Sequence, residues 1–461
     1  MKPSGPLRQI MAIRREELPE TLLMSFYFFL VIATFWVLRP LKTGLFIEYY
    51  DQVPFRFLLW DFNAAQAQNI AKVGNMLVAV VAAAAFVYLS RTFQRERLTH
   101  IFAGFSIAGF AVLATLLRDP SAGTVWGFYW WGDLYNTLMV AAFFAFLNDA
   151  VTPDSAKRLY GVVVLGGVTG GAFGSIVLAN WISALTMSQW MWVSAVLTVL
   201  VGMTASMAGR RFHSKDEAPP RKSGKTTAPE PAARTSLATA SRIVLGSRYL
   251  LSIVAIVGLY EMVSTIMDFQ FSSTISYYLD GDAISERFAL VFAVTNGVAL
   301  FIQLFITSFV MTRFGIGVAL LFLPVAALLG SVGFLAAPIL LTGSLLNTTD
   351  SGFAYSINQS AKEALYTPTH KSEKYQAKAF IDMFVMRFAK AVAVGLSLVL
   401  TTMFTGFGSV RWLSLVTVAI LAAWIVIARY AGREFQKKAT PGQDTARAAR
   451  PDPSPSVVSA R

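Results

Sequence analysis

Apolar runs of about twenty residues recur along this chain, near 22–47, 70–90, 101–118, 126–147, 160–182, 188–208, 249–275, 288–311, 316–337, 340–366, 377–403 and 409–430. Each is long enough to cross the roughly 30 Å of hydrocarbon in a bilayer. Backbone polar groups find no water there, so such segments must be helices or the strands of a closed barrel, and runs of this length predict helices. The expected fold class is therefore an all-α integral membrane protein with twelve transmembrane helices. Composition agrees: of 461 residues 55% are hydrophobic and 14% charged, against roughly 25% charged in soluble domains. Cysteine is absent, and His100, His213 and His370 are far apart. Thiol chemistry, disulfide staples and Cys or His metal centres are excluded, and no cofactor is expected.

The charges test the span number. An even count puts both termini on one side. That side then receives Lys2, Arg8, Arg14 and Arg15, Arg91, Arg95 and Arg97, Lys157 and Arg158, the basic residues from Arg210 to Arg248, Arg313, Lys371 and Lys374, and those from Arg429 to Arg461. The opposite side receives only Arg56, Arg118, Arg287 and Arg411. One missed helix would invert half the loops, so the bias supports twelve spans with cytoplasmic termini. The net charge of +13 is thus assigned to loops beside a lipid bilayer, not to nucleic acid.

Residues 209–248 interrupt the pattern with a stretch rich in Lys, Arg, Pro, Ser and Ala, which reads as a largely disordered cytoplasmic linker. It divides the chain into an N-terminal six-helix half, 1–208, and a C-terminal six-helix half, 249–438. The remainder, 439–461, reads as a disordered cytoplasmic tail. A short repeat relates the halves: Thr152–Pro153 precedes Tyr160 by the same interval as Thr367–Pro368 precedes Tyr375. Six-plus-six halves joined by a long cytoplasmic loop are the major facilitator layout, with substrate bound between the halves at mid-membrane.

Several charges remain inside the runs. The cations are Arg39, Lys42, Lys72, Lys362, Lys378, Arg387 and Lys390; the acids are Asp133, Glu261, Asp268, Asp350, Glu363 and Asp382. Each costs about 2.5–3.5 kcal/mol at mid-bilayer on insertion scales, so each needs a wet cavity or a partner. Lys72, Asp350 and Glu261 read best as snorkelling groups or structural pairs. Lys42, Asp133, Asp268 and the span-eleven charges read as cavity-lining. Spans one, four, seven and ten are equivalent under the repeat, and all carry ionisable residues. In span eleven the intervals among Lys378, Asp382 and Lys390 put them on one helical face. Such a stripe suits a multivalent anion, with Lys42 and Lys378 clamping phosphates while Asp133 and Asp268 pair with them in the empty site.

Two other features invite functional readings. Gly166–Gly167–Val168–Thr169–Gly170–Gly171 resembles a phosphate-cradling loop. It lies inside an apolar span and lacks the Lys-Ser/Thr ending of a P-loop, so close helix packing is the better reading. The aromatic cluster Trp126–Tyr135 could stack on a base, but reads better as an interfacial belt.

The residues as a set resemble the bacterial and plastid ATP/ADP translocase family. Its span-one Arg-Asp-x-Lys-Asp element is matched by Arg39–Pro40–Leu41–Lys42–Thr43, and its Phe-Tyr…Glu-Leu-Trp stretch by Phe128–Tyr129 through Asp133–Leu134–Tyr135. Ala156–Lys157–Arg158–Leu159–Tyr160 and Thr312–Arg313–Phe314–Gly315 are similar to two further elements. The strongest match is Lys362–Glu363–Ala364–Leu365–Tyr366–Thr367–Pro368, then Lys374, Lys378–Ala379–Phe380–Ile381–Asp382 and Lys390. The resemblance implies exchange of ATP for ADP, or of nucleotides with phosphate. Its four central charges carry over as Lys42, Asp133, Asp268 and Lys378, with Lys390 competing for the last place and Glu261 for the third. Both acids are Asp where the family has Glu, and the two Asp of the span-one element are Pro40 and Thr43.

The expected protein is a transporter, not an enzyme: a monomer in a bacterial inner membrane, moving nucleotides or related phosphorylated anions. Arg39, Lys362, Glu363 and Asp382 complete the expected substrate-binding set. The alternatives are a proton-coupled carrier of another solute, with Asp133 and Asp268 as proton carriers, and a non-transporting scaffold or lipid scramblase.

Overall fold

The computed structural model describes residues 17–57, 60–93, 95–150, 153–213, 244–369, 377–378, 380–404 and 406–439. In chain order the helices are α1 (Leu18–Gln52), α2 (Ala64–Thr92), α3 (Arg95–Leu116), α4 (Ala122–Ala150), α5 (Pro153–Trp181) and α6 (Met187–His213). There follow α7 (Arg248–Tyr278), α8 (Asp282–Arg313), α9 (Gly315–Ala336), α10 (Leu340–Leu365), α11 (Ile381–Met403) and α12 (Gly408–Ala439). Ten of these are long and apolar enough to cross a membrane. The two outside that set are α4, whose Trp, Tyr, Asn and Asp side chains dilute its hydropathy, and α10, which is interrupted.

The interruptions are wide π-type turns at Ile302–Ile306 in α8, Ala354–Asn358 in α10 and Ile381–Val385 at the head of α11. A π-turn inserts one residue into the helical ladder and rotates everything beyond it. By contrast α1 runs unbroken through Pro40, although proline removes a backbone donor and crowds the preceding turn.

Two details depart from the sequence reading. An antiparallel hairpin, β1 (Phe55–Phe57) with β2 (Trp60–Phe62), pairs Phe55 with Phe62 and Phe57 with Trp60 between α1 and α2, so the described fold is not purely helical. Phe55 packs on Tyr50 and Trp126, which anchors the hairpin to the helix ends. Helix α6 continues to His213, beyond the expected boundary at 208. The linker from 214 to 243 and the tail from 440 lie outside the described residues, as do Thr152, Lys374 and Tyr375.

Helix α1 packs most extensively along α5. A β-carbon at Gly166 would collide with Ser25, one at Gly170 with the Phe29 backbone, and one at Gly174 with the Ala33 backbone. Glycines every fourth residue on α5 therefore face a matching four-residue row on α1, which lets the backbones touch without a driving force from water. The glycine-rich stretch is a packing seam.

The helix ends next to the hairpin and to the α7–α8 and α11–α12 turns share one end of the bundle. Tyr277 stacks on Phe407 with ring centroids 4.1 Å apart, which joins the α7–α8 and α11–α12 turns; the first residues of α1 and the last of α12 point to the opposite, terminal end. One continuous core joins α1–α6 to the hairpin-side portions of α7 and α8, from Ile266 to Phe292. A second core is confined to the C-terminal helices, largely toward the terminal end. Hydrogen bonds join the two groups of helices at this end: Ser276 donates to Asp51 at 3.0 Å, Ser183 to Glu286 at 2.6 Å and Gln66 to Thr401 at 2.9 Å. The two groups of helices thus close on each other at the hairpin end and part toward the terminal end.

Candidate functional site

Between the two groups lies a cavity of about 550 Å³, lined mainly by α1, α2, α4, α7, α10 and α11. Its volume falls within the usual range for small-molecule sites. Five cations face it, Arg39, Lys42, Lys72, Lys362 and Lys390, together with four acids, Asp133, Glu261, Asp268 and Asp350. This much charge inside a membrane-spanning bundle is tolerated only with partners or water.

Lys42 has only 5% of its side chain exposed and pairs with Asp133 at 2.5 Å. Its ammonium also donates to the Tyr129 carbonyl at 3.2 Å and sits 4.6 Å from the Tyr129 ring centroid. Asn75 donates to the same Asp133 carboxylate. The lysine stem lies over Gly132, where a β-carbon would stand 2.8 Å from Lys42 Cδ. Gly132 therefore leaves the groove that lets Lys42 reach the residue following it, a role sequence reasoning missed. A glycine beside an intramembrane acid, one helix from a buried lysine, was the available signal.

Lys72 of α2 pairs with Asp268 of α7 at 2.5 Å, joining the two groups of helices. Asn69 accepts a hydrogen bond from Lys72 at 3.1 Å, and Asn347 approaches the other Asp268 oxygen at 3.5 Å. Lys390 pairs with Glu261 at 3.3 Å. Arg39 donates to the Tyr355 hydroxyl at 3.0 Å and lies 4.8 Å and 5.0 Å from the Trp36 and Phe292 rings, a setting that suits a weakly hydrated guanidinium.

The span-eleven expectations need correction. Lys378 does not line the central cavity; it makes a bidentate contact with Glu363 at 2.7 and 2.8 Å. That pair belongs to a second cavity of about 400 Å³, which adjoins the first toward the terminal end through Gln359, Lys362 and Met386. Asp268 takes its cation from Lys72 instead. Lys378 stands twelve residues before Lys390, about 18 Å along a helix axis, with the π-turn at Ile381–Val385 between them. The side chain of Asp382 is outside the described set. Lys72, Glu261 and Asp350, read from the sequence as snorkelling groups or structural pairs, all face the central cavity, where Lys72 pairs with Asp268 and Glu261 with Lys390.

The aromatic cluster is divided. Trp130 fills the notch at Gly74 and donates to the Ala71 carbonyl at 3.1 Å, while Trp131 fills the notch at Gly109. Trp126 donates to the Tyr50 hydroxyl at 2.6 Å. These rings serve helix packing, and Tyr129 alone among the aromatics of Trp126–Tyr135 lines the cavity.

The TLC ATP/ADP transporter family model matches residues 124–435. The chain is 23% identical to ADP,ATP carrier protein 1, chloroplastic, of Arabidopsis thaliana, over 67% of this chain and 54% of that protein. It therefore spans about half the length of its plastid relatives. With ADP,ATP carrier protein 1 of Chlamydia muridarum it shares 22% identity over 94% of this chain and 92% of the relative. Among solved structures, the nucleoside transporter NupG superposes with a TM-score of 0.58 at 12% identity, covering 91% of this chain and 99% of that one. A bacterial homologue of the lysosomal transporter Spinster, inward-facing and unoccupied, gives 0.54 at 12% identity, covering 93% and 99%. These two likenesses concern the fold alone: the chain is folded as those two solved chains are.

Proposed function

The chain belongs to the TLC ATP/ADP transporter family, and from that premise we propose that it exchanges nucleotides, ATP for ADP, across a bacterial inner membrane by alternating access. All twelve helices cross the bilayer as two six-helix halves, 1–208 and 249–438 with helix α6 extended, and both termini are cytoplasmic. The protein works as a monomer.

The observation that carries this reading is the cavity's charge balance. Three ammonium–carboxylate pairs, Lys42–Asp133, Lys72–Asp268 and Lys390–Glu261, leave Arg39 and Lys362 without an acid at contact distance among the described residues. A phosphate chain entering from the terminal end meets Lys362 first and Arg39 deeper in. It then competes with Asp133 and Asp268 for their lysines. Each lysine so captured gives up one anion for another, which limits the desolvation cost. Displacing Asp268 from Lys72 also releases a contact between the halves, so binding loosens the closed end and permits the rocking motion.

The test is uptake of labelled ATP by liposomes containing the purified protein. Uptake that requires ADP inside is the expected result. Well-folded protein that shows neither uptake nor a nucleotide-dependent rise in Tm would rule out the nucleotide reading.

A further inference from the structure

Of the four acids lining the cavity, three hold an ammonium at 2.5–3.3 Å. Asp350 does not. It lies in α10 just ahead of the π-turn, is 5% exposed, and accepts a hydrogen bond to Oδ2 from the Ser264 hydroxyl at 2.6 Å. Its Oδ1 is shut off from solvent and has no partner. One turn earlier on the same face, Asn347 Oδ1 is another buried acceptor without a donor. Two acceptors facing one cavity wall lack a hydrogen.

The charged surroundings do not supply a cation. Helix α7 presents Tyr260, Glu261 and Asp268; α9 carries no titratable residue; α10 itself adds Tyr355 and Lys362. Arg39 reaches in from α1 but is held by Tyr355, and Arg287 of α8 is spent on Ser344 at 2.9 Å. Two of the nearest titratable groups, Glu261 and Asp268, are acids. A lone carboxylate among acids inside a membrane protein is costly as an anion, and binding one proton removes that cost. A neutral Asp350 has an O–H to donate, to Asn347 or to water in the cavity.

We infer that Asp350 is a proton-binding site coupled to the substrate anion: it takes up one proton when the more highly charged nucleotide occupies the cavity and gives it up when the less charged one replaces it. A proton on Asp350 makes the cavity one charge more positive, so proton and phosphate chain favour each other's binding, and the coupling is reciprocal. ATP carries one more negative charge than ADP. A proton travelling with ATP balances that difference, and only the carboxyl O–H bond forms and breaks. The inference rests on the nucleotide reading above, but proton binding itself is tested without transport.

Infrared difference spectra of the purified protein should show the carbonyl band of a neutral buried carboxylic acid, stronger with ATP than with ADP. That band should disappear in Asp350→Asn and return, shifted, in Asp350→Glu. In liposomes containing a pH dye, ATP/ADP exchange should move about one proton per exchange, and an imposed pH gradient should change the initial rate several-fold. In Asp350→Asn the protons moved per nucleotide should fall to the background of protein-free liposomes. Wild-type spectra without such a band, an unchanged band in Asp350→Asn, or dependence on a sodium gradient would overturn the inference. No nucleotide uptake alongside a clear Asp350 band would instead sink the nucleotide reading and leave the proton site standing.

Discussion

Two lysine–carboxylate pairs of nearly equal length sit in very different places. Lys42–Asp133 spans 2.5 Å with the lysine side chain 5% exposed, between helices of the first group. Lys378–Glu363 spans 2.7 Å with side chains 37% and 40% exposed, at the terminal-end mouth. Distance alone would rank them alike. Burial separates them: an exposed pair contributes about 0–1 kcal/mol, whereas removing one partner of a buried pair costs about 3–5 kcal/mol because a charge is left stranded. On the proposed function, the inner pair is the one that an arriving anion would reorganise. The outer pair is a surface contact that water already solvates.

The sharpest way to break this contrast is Lys42→Gln. It should lower ADP-dependent ATP uptake by about 100-fold or more, in line with the stranded Asp133 charge. Uptake within about threefold of wild type would place the inner pair among ordinary structural contacts. Next comes Gly132→Val, which leaves both charges in place but fills the groove under the lysine stem. A drop of about 30-fold, with KM rising more than kcat falls, is expected from displacement of the ammonium. Lys72→Gln should cost about 10-fold, and should also raise labelling of a cysteine placed near the hairpin end, because the contact between helix groups is gone. Lys378→Gln should change uptake by less than about threefold. That small change should vanish at 1 M salt, where the Debye length is about 3 Å, while the Lys42→Gln defect persists.

Much of this was legible in the sequence. Arg39, Lys42, Asp133 and Asp268 stand in apolar surroundings far from predicted helix ends, and all four face the cavity. The glycine seam was legible because small residues inside a lipid-spanning run have few other uses. The errors have identifiable physical causes. Lys72 was readable as a snorkelling group or one of a structural pair, but its partner Asp268 is on a helix distant in sequence, so the pairing could not be read. Placing Lys378 and Lys390 on one helical face said nothing of depth, and twelve residues amount to about 18 Å along the axis. The hairpin lacks the Asn-Gly or Asp-Gly turn that marks tight β-connections, so the stretch between the first two spans reads as a plain loop. Gly132 was hidden because its role concerns space needed by another helix.

The seam at the hairpin end also has a consequence for pharmacology. On the proposed function, a carrier closed at the hairpin end is, at rest, a one-sided drug target. A membrane-impermeant polyanion too large to pass can plug only those molecules whose mouths face the compartment it was added to. In vesicles where the protein has inserted both ways round, such a blocker would titrate away one orientation and spare the other. The inhibited fraction would then report how the population is oriented, with no tag or antibody required.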